Sequence, residues 1–258
     1  MSQPVQFSFI VSCYNLENYI QACLDSLTGQ SYPSAAFEII VIDDGSTDRS
    51  FEVIQQAAKG HANVRFFKTE NSGLEKTCNR GIKLAQNDLV IRVDADDMLD
   101  PQFLAVMNRA VQAEPQFDFY YCRDYVEYYS DSNQPAKSVP PFDPEEIFSR
   151  GDFFATATVY RKTQLEAIGL FPEDIKNCGL ENYTVILKLL SSGKKGLAVP
   201  GARFYYRRHS TNMSIVKQQA IIDYGRRLLA GYGRQFQTNE FHPYGLRLIE
   251  KSASPKTL

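Results

Sequence analysis

Asp88–Asp97 reads DLVIRVDADD. A short, nearly continuous apolar run ends in three carboxylates within four residues. The run has the length and composition of a strand buried on both faces. The same form recurs upstream, as FSFIVS over Phe7–Ser12, FEIIVI over Phe37–Ile42 and a further run over Asn63–Lys68. Between these runs lie stretches with helical spacing. The first is Glu17–Thr28, with Ile20, Leu24 and Leu27 on one face. Ser50–Ala58 follows, then Leu74–Ala85 with Cys78, Ile82 and Ala85. Strands alternating with helices predict βαβ units, a parallel sheet and right-handed crossovers. Residues 1–120 therefore read as an open α/β sheet, and ligands of such sheets bind beyond the carboxyl ends of the strands.

Those ends are polar. The first strand ends in Cys13-Tyr14-Asn15 and the second in Asp43-Asp44-Gly45-Ser46-Thr47-Asp48. Glu70-Asn71-Ser72-Gly73 follows the third strand, and Asp94-Ala95-Asp96-Asp97 ends the fourth. Taken singly, the first three are also good turn and helix-cap chemistry. The fourth is different, because carboxylates at that density repel one another unless a cation or donors compensate. Oxygen ligands of this kind suit Mg²⁺ or Mn²⁺, which usually bridge substrate phosphates. No GxxxxGK[ST] loop is present to hold a triphosphate, and no GxGxxG follows the first strand, which disfavours a kinase and a dinucleotide oxidoreductase.

Composition narrows the class. The chain has 258 residues, 43% hydrophobic and 22% charged, with 28 Lys+Arg against 30 Asp+Glu. These values exclude disorder, collagen and coiled coil. The net charge of −2 gives no global pull toward nucleic acid. Five widely spaced cysteines without a CxxC pair read as reduced thiols of a cytoplasmic protein, not as a disulfide frame or zinc site. The N-terminus lacks signal-peptide features, and no apolar run approaches the ~20 residues of a membrane span.

Taken together, Ser12-Cys13-Tyr14-Asn15, Ile42–Asp48, Asn71-Ser72-Gly73 and Asp94-Ala95-Asp96-Asp97 resemble the family 2 inverting glycosyltransferases, which have the GT-A fold. The resemblance runs from about Phe7 to Ser214 and rests on four motifs in order. It implies a Rossmann-like nucleotide-binding half on an open, mostly parallel sheet flanked by helices, with acceptor-side elaboration. It also implies transfer of a sugar from a nucleotide-diphosphate sugar, most often a UDP-sugar, to an acceptor hydroxyl in surface polysaccharide or glycoconjugate synthesis. Carried over residue by residue, Asp44 would accept a hydrogen bond from the base, and Tyr14 would contact it. Asn15, Asn71 and Gly73 belong to the nucleotide-binding loops. Asp94 would reach the ribose, and Asp96 would bind a divalent metal (Mn²⁺ or Mg²⁺). Arg80, on the helix after Gly73, could reach the phosphates or simply face solvent.

The second half reads as a strand over Phe117–Cys122, a Tyr-rich hairpin or loop over Tyr125–Asn133 and a loop over Val139–Pro144. A strand over Phe153–Tyr160 and a short helix over Lys162–Ile168 follow. No linker separates the halves, so residues 1–214 read as one domain, with 121–214 as its acceptor half and 215–258 as a helical tail. In the family, Glu-Asp commonly opens a helix here, and the Asp is the general base. This chain has Cys178-Gly179-Leu180-Glu181-Asn182-Tyr183, so the resemblance makes Glu181 and Asn182 the candidate catalytic-site residues, although an amide cannot be that base. Glu181 could replace it, another carboxylate such as Asp152 or Asp174 could serve, or transfer could be impaired, leaving a nucleotide-sugar-binding protein. If Glu181 is the base, Asn182→Asp should maintain or raise turnover. Arg203-Phe204-Tyr205-Tyr206-Arg207-Arg208-His209 and Asn212-Met213-Ser214 also resemble the family. There Arg207 would contact phosphate, His209 would bind metal or phosphate, and residues 209–214 would form a lid.

Tyr120, Tyr121, Tyr125, Tyr128 and Tyr129 could line an acceptor site or pack the hairpin. In the tail, Ile221, Leu228, Leu229 and Tyr232 recur at helical spacing, with Lys217, Arg226, Arg227 and Arg234 mostly elsewhere. That pattern is a helix packed on the core with a basic outer face, or a peripheral contact with an anionic membrane near a lipid-linked acceptor. The expected partners are the nucleotide-sugar donor and a saccharide or lipid-linked saccharide acceptor.

Overall fold

A computed structural model describes residues 3–129, 135–139, 141–150 and 156–234. The chain begins β1 (Phe7–Cys13), α1 (Ile20–Thr28), β2 (Phe37–Asp43), α2 (Ser50–Ala57), β3 (Val64–Lys68), α3 (Leu74–Leu84) and β4 (Leu89–Asp94). It continues through β5 (Met98–Leu99), α4 (Phe103–Ala113), β6 (Phe119–Tyr128), β7 (Lys137–Ser138), α5 (Pro144–Arg150), β8 (Val159–Arg161) and α6 (Lys162–Ala167). It closes with α7 (Glu181–Ser191), β9 (Gly196–Arg207), α8 (Met213–Val216) and α9 (Gln218–Ala230).

Among the described residues one sheet runs β3-β2-β1-β4-β8-β6-β9-β5, with β7 added to β6. Strands β1–β4 pair in parallel with one another, β1 with β2 and β4, and β2 with β3. The short strands β5, β7 and β8 supply antiparallel contacts, while β6 and β9 run parallel. The sheet is therefore mixed, with the predicted parallel portion on one side.

The central strands are apolar on both faces because helices cover both. Phe7, Phe9 and Val11 of β1 pack with the helices α1 and α4, and Ile10 packs on the other side with α3 and α7. In α1 the buried set is Ile20, Cys23, Leu24 and Leu27, the spacing of an amphipathic helix. This helix starts later than predicted. The amides of Leu16 and Glu17 are taken by Ser50 Oγ at 2.9 Å and Asp48 Oδ2 at 3.1 Å, so the chain ahead of it is held as a loop. Helix α4, with Phe103, Leu104, Met107 and Val111 buried, was not predicted.

Residues 121–214 differ more from the sequence reading. Strand β6 runs to Tyr128 because β9 gives it a ladder partner along its whole length, past an irregularity between Cys122 and Asp124. Its Glu127 is buried, yet hydrogen bonds from Lys137 at 2.7 Å and Arg208 at 2.6 Å outweigh the burial and hold its carboxyl below the usual range. Tyr120 and Tyr121 are core residues, Tyr125 stacks on Phe204 at 5.5 Å, and Tyr129 is partly exposed. Residues 130–133, 151–155 and 235–258, including Asp152, lie outside the described residues. In α9, Ile221, Tyr224 and Leu229 are buried while Arg226 and Arg227 face outward, the packed-helix pattern. No helix among the described residues is long and apolar enough to cross a membrane. All five cysteines are free and buried. Burial raises each thiol, Cys13 to about 12, so none is an activated nucleophile.

Candidate functional site

The carboxyl ends of β1, β2 and β4 open into a cleft of about 490 Å³. Its wall includes Tyr14, Asn15, Asp44, Asn71, Asp94, Asp96, Glu181 and His209, eight residues singled out from the sequence. Tyr14 is 47% exposed and bonds nothing there among the described residues, as a ring open to a ligand would be. Asn15 adopts φ 54°, a left-handed conformation that Asn tolerates. Its Oδ1 accepts the Thr47 amide at 2.8 Å and its own amide donates to Ser46 Oγ at 3.0 Å, pinning the β1 loop to the β2 loop.

Asp44 is tied to the third loop. Its Oδ1 accepts from the Ser72 amide at 2.9 Å and the Ser72 hydroxyl at 3.1 Å, and its Oδ2 from the Gly73 amide at 2.9 Å. A carboxylate has roughly four lone-pair sites, so one remains toward the cleft. Asn71 Nδ2 donates to the Asp44 carbonyl at 2.9 Å. Gly73 is buried outside the cleft wall, and its φ of 99° is the conformation glycine permits. It serves the site by holding Asp44. Gly45, at φ 77°, has the Asn71 backbone nitrogen 2.8 Å from where a Cβ would stand, so the β2 and β3 loops meet only because that side chain is absent.

Asp96 Oδ2 stands 3.0 Å from His209 Nε2. His209 Nδ1 lies 2.8 Å from Thr211 Oγ1, and the ring stacks on Tyr19 at 4.5 Å. Asn212 Nδ2 is 3.4 Å from the same Asp96 oxygen. Neighbouring ligands of an octahedral cation bound at about 2.1 Å stand about 3 Å apart. The Asp96–His209 pair thus fits a divalent ion, with Thr211 fixing the ring from behind. A buried group of Glu75, Cys178 and Glu181 also has donors within 4.8 Å of one another. It fits less well, because Glu75 already accepts the amides of Asn177 at 2.8 Å and Cys178 at 2.7 Å. The Cys178 thiol is also pushed up by burial and then by Glu181.

Asp97 is turned inside. Its Oδ1 accepts the Arg207 amide at 2.9 Å, and burial, then Asp96 and Asp94, push its carboxyl well above the usual range. Asp94 ion-pairs with Arg92, whose Nη2 also reaches Glu181 Oε1 at 2.9 Å. Arg92 was missed in the sequence. A charged residue in mid-strand, between Ile91 and Val93, was the available signal.

Three expectations need correction. Arg80 is exposed and absent from the cleft wall, because its position on α3 faces solvent. Arg207 does not present its fork to the cleft. Its Nε donates to the Asp96 carbonyl at 2.8 Å, and its guanidinium lies 5.3 Å from the Tyr19 ring and 4.8 Å from the Tyr128 ring. It braces the Asp96 loop from outside. Asn182 is 2% exposed, against 6% for Glu181, and does not line the cleft. Successive helix residues point about 100° apart, so α7 turns Glu181 into the cleft and Asn182 into the core. There Asn182 Oδ1 has no hydrogen-bond partner among the described residues. Of the alternative carboxylates, Asp174 lines a separate cavity.

The geometry can be set beside known proteins. The model of the family "Glycosyl transferase family 2" matches residues 8–169. EpsH of Bacillus subtilis (strain 168) is 29% identical over 170 residues, 62% of this chain and 48% of EpsH. The uncharacterized glycosyltransferase EpsJ of the same organism is 34% identical over 232 residues, 84% of this chain and 65% of EpsJ. The chain thus spans between about half and two thirds of these relatives. Among solved structures, Staphylococcus aureus TarS 1-349 in complex with UDP-GlcNAc superposes with a TM-score of 0.65 at 20% identity, over 88% of this chain and 73% of that one. The mannosyltransferase PcManGT from Pyrobaculum calidifontis, in complex with GDP-Man and Mn²⁺, gives 0.68 at 18% identity, over 94% and 69%. At these identities the structures show a common GT-A fold. The family model covers the strands and loops that build the cleft as far as Asp96, and more than half of the residues: the chain belongs to glycosyl transferase family 2.

Proposed function

We propose that the chain is a metal-dependent, inverting glycosyltransferase that moves a sugar from a nucleotide-diphosphate sugar, preferentially a UDP-sugar, to an acceptor hydroxyl. The observation that carries this reading is one cleft lined by Asp44, Asp94 and Asp96 at the strand ends and by Glu181 at the start of α7. Glu181 takes the acceptor proton as the hydroxyl oxygen bonds to the anomeric carbon. The bond from that carbon to the diphosphate oxygen breaks, and nucleoside diphosphate leaves. Asp96 and His209 would hold the divalent ion, which neutralises charge growing on the leaving diphosphate. Tyr14 and Asp44 would face the base, and Asp94 the ribose. The UDP-GlcNAc of the TarS complex supports a UDP donor, and the Mn²⁺ of the PcManGT complex supports the metal.

A TarS of Staphylococcus aureus named a poly(ribitol-phosphate) beta-N-acetylglucosaminyltransferase supports a surface glycopolymer as the acceptor class. In this reading residues 1–120 bind the donor, 121–214 bind the acceptor, and the segment from 215 is an appended helical tail. The test is a thermal-shift panel of UDP, GDP, ADP and CDP with Mn²⁺ or Mg²⁺, followed by assay of nucleoside diphosphate release with the corresponding sugar donor. Stabilisation by UDP with metal, and release of UDP, are the expected results. Stabilisation by no nucleotide would overturn the reading. Binding without any release would favour a non-catalytic nucleotide-sugar binder.

Cytoplasmic location with peripheral membrane contact is part of the same proposal. Ile215 and Val216 are 57% and 61% exposed, and Val216 lines the cleft together with Lys217. Co-sedimentation with anionic but not neutral vesicles, weakened by salt, is expected. No sedimentation with anionic vesicles at low salt removes the contact.

A further inference from the structure

Arg92 sits in mid-β4, two residues before Asp94, so the twofold period of a strand puts both side chains on one face. That face is covered by α3 and α7, and Arg92 adjoins a small apolar space with Ile10, Cys78, Ile82, Tyr160 and Phe171. The side chain is 6% exposed. Burying a guanidinium there is costly unless carboxylates compensate. Nη2 meets Asp94 Oδ1 and, at 2.9 Å, Glu181 Oε1.

The fold alone does not call for this arrangement. Buried ion pairs are often replaced by apolar side chains with no loss of stability, and Val90, two residues earlier on the same face, is such a side chain. What the charge at 92 does is join a carboxylate on the donor side of the cleft to the carboxylate that opens α7. Without the guanidinium, Glu181 Oε1 would lose its charged partner and face the like charge of Asp94, leaving, among the described residues, only the weak contact of Cys178 Sγ at 3.9 Å on Oε2.

We propose that Arg92 is a positioning residue for glycosyl transfer: it fixes the Glu181 carboxylate in the cleft, at a set distance from the donor-side Asp94, so that the acceptor proton and the anomeric carbon are met in one geometry. The proposal rests on Glu181 being the base. Arg92 lines the cleft as well, and the role proposed for it runs through Glu181, whose carboxylate it holds.

The test is a cycle of Arg92→Lys, Glu181→Gln and the double variant, read as kcat, donor KM and nucleotide affinity. Lysine keeps the charge but loses the planar fork. Arg92→Lys is expected to lower kcat about 10- to 100-fold, the cost of a misplacement on the order of 1 Å, with donor KM and nucleotide affinity unchanged. In the Glu181→Gln background it should cost nothing further, since groups acting as a unit are not additive. Three results would overturn the proposal while leaving Glu181 in place: wild-type kcat in Arg92→Lys, a full additional loss in the double variant, or a loss confined to nucleotide affinity. Should Arg92→Lys fold poorly, Arg92→Met serves. A Met variant with native melting temperature and native kcat also overturns it, and one with native melting temperature and reduced kcat supports it. If Glu181→Gln keeps wild-type kcat, the assignment of the base falls first and the proposal with it.

Discussion

Glu181→Gln is expected to lower turnover by about 10²–10⁴-fold, the usual contribution of a positioned general base, while nucleotide binding persists. The amide keeps the volume of the carboxylate and a carbonyl oxygen for the Arg92 guanidinium, so the first turn of α7 should survive. What it loses is the capacity to take a proton. The effect should therefore appear in kcat, with donor KM little changed, because Glu181 serves the attacking hydroxyl and not the ground-state nucleotide. Asn182→Asp sharpens the contrast. Residue 182 is buried outside the cleft wall, so a carboxyl there is expected to maintain turnover where Glu181 sets it, and it should not rescue Glu181→Gln. Rescue would move the base to 182 and require α7 to turn. Steady-state assay of nucleoside diphosphate release, with a melting curve for each variant, reads both outcomes.

Asp96→Asn is expected to abolish the metal dependence of nucleotide binding and to lower turnover by about 10²–10³-fold, corresponding to several kcal/mol of lost charge stabilisation. Asparagine keeps the size and a carbonyl oxygen, and Asp96 is not what folds its own loop. The Arg207 side chain binds the Asp96 backbone carbonyl and the Arg207 amide binds Asp97, so the variant should keep its melting temperature. His209→Ala should weaken the same binding less, since it removes a neutral ligand and leaves the charge. Titration of UDP by calorimetry with Mn²⁺, with Mg²⁺ and with chelator separates these cases. Equal UDP affinity in Asp96→Asn and wild type, with metal present, would remove Asp96 from the metal site.

Much of the site was legible in the chain because the signals are local. An apolar run followed at once by acid reads as a strand that ends at a ligand edge, and Asp44, Asp94 and Asp96 stand there. The glycines reported loop geometry in the same way, since Gly45 and Gly73 adopt backbone angles that other residues resist. The readings that failed were those needing a direction in space. Arg80 and Arg207 carry the right charge at plausible places in the motif order. Yet one is turned outward on α3, and the other is held between two tyrosine rings behind the Asp96 loop.

The sequence by itself determined the parallel strands β1–β4, the acidic edge and the family, because strand length, helix period and motif order are written along the chain. Only the tertiary structure decided which member of Glu181-Asn182 enters the cleft, and that Arg92 holds it there. The reason is rotational. Neighbours on a helix differ by about 100°, and the phase of α7 against β4 is set by which apolar side chains of the two elements pack together, far apart in the chain. No local pattern around residue 92 or residue 181 records that phase. It exists only once Val90, Leu180 and Tyr183 share a core.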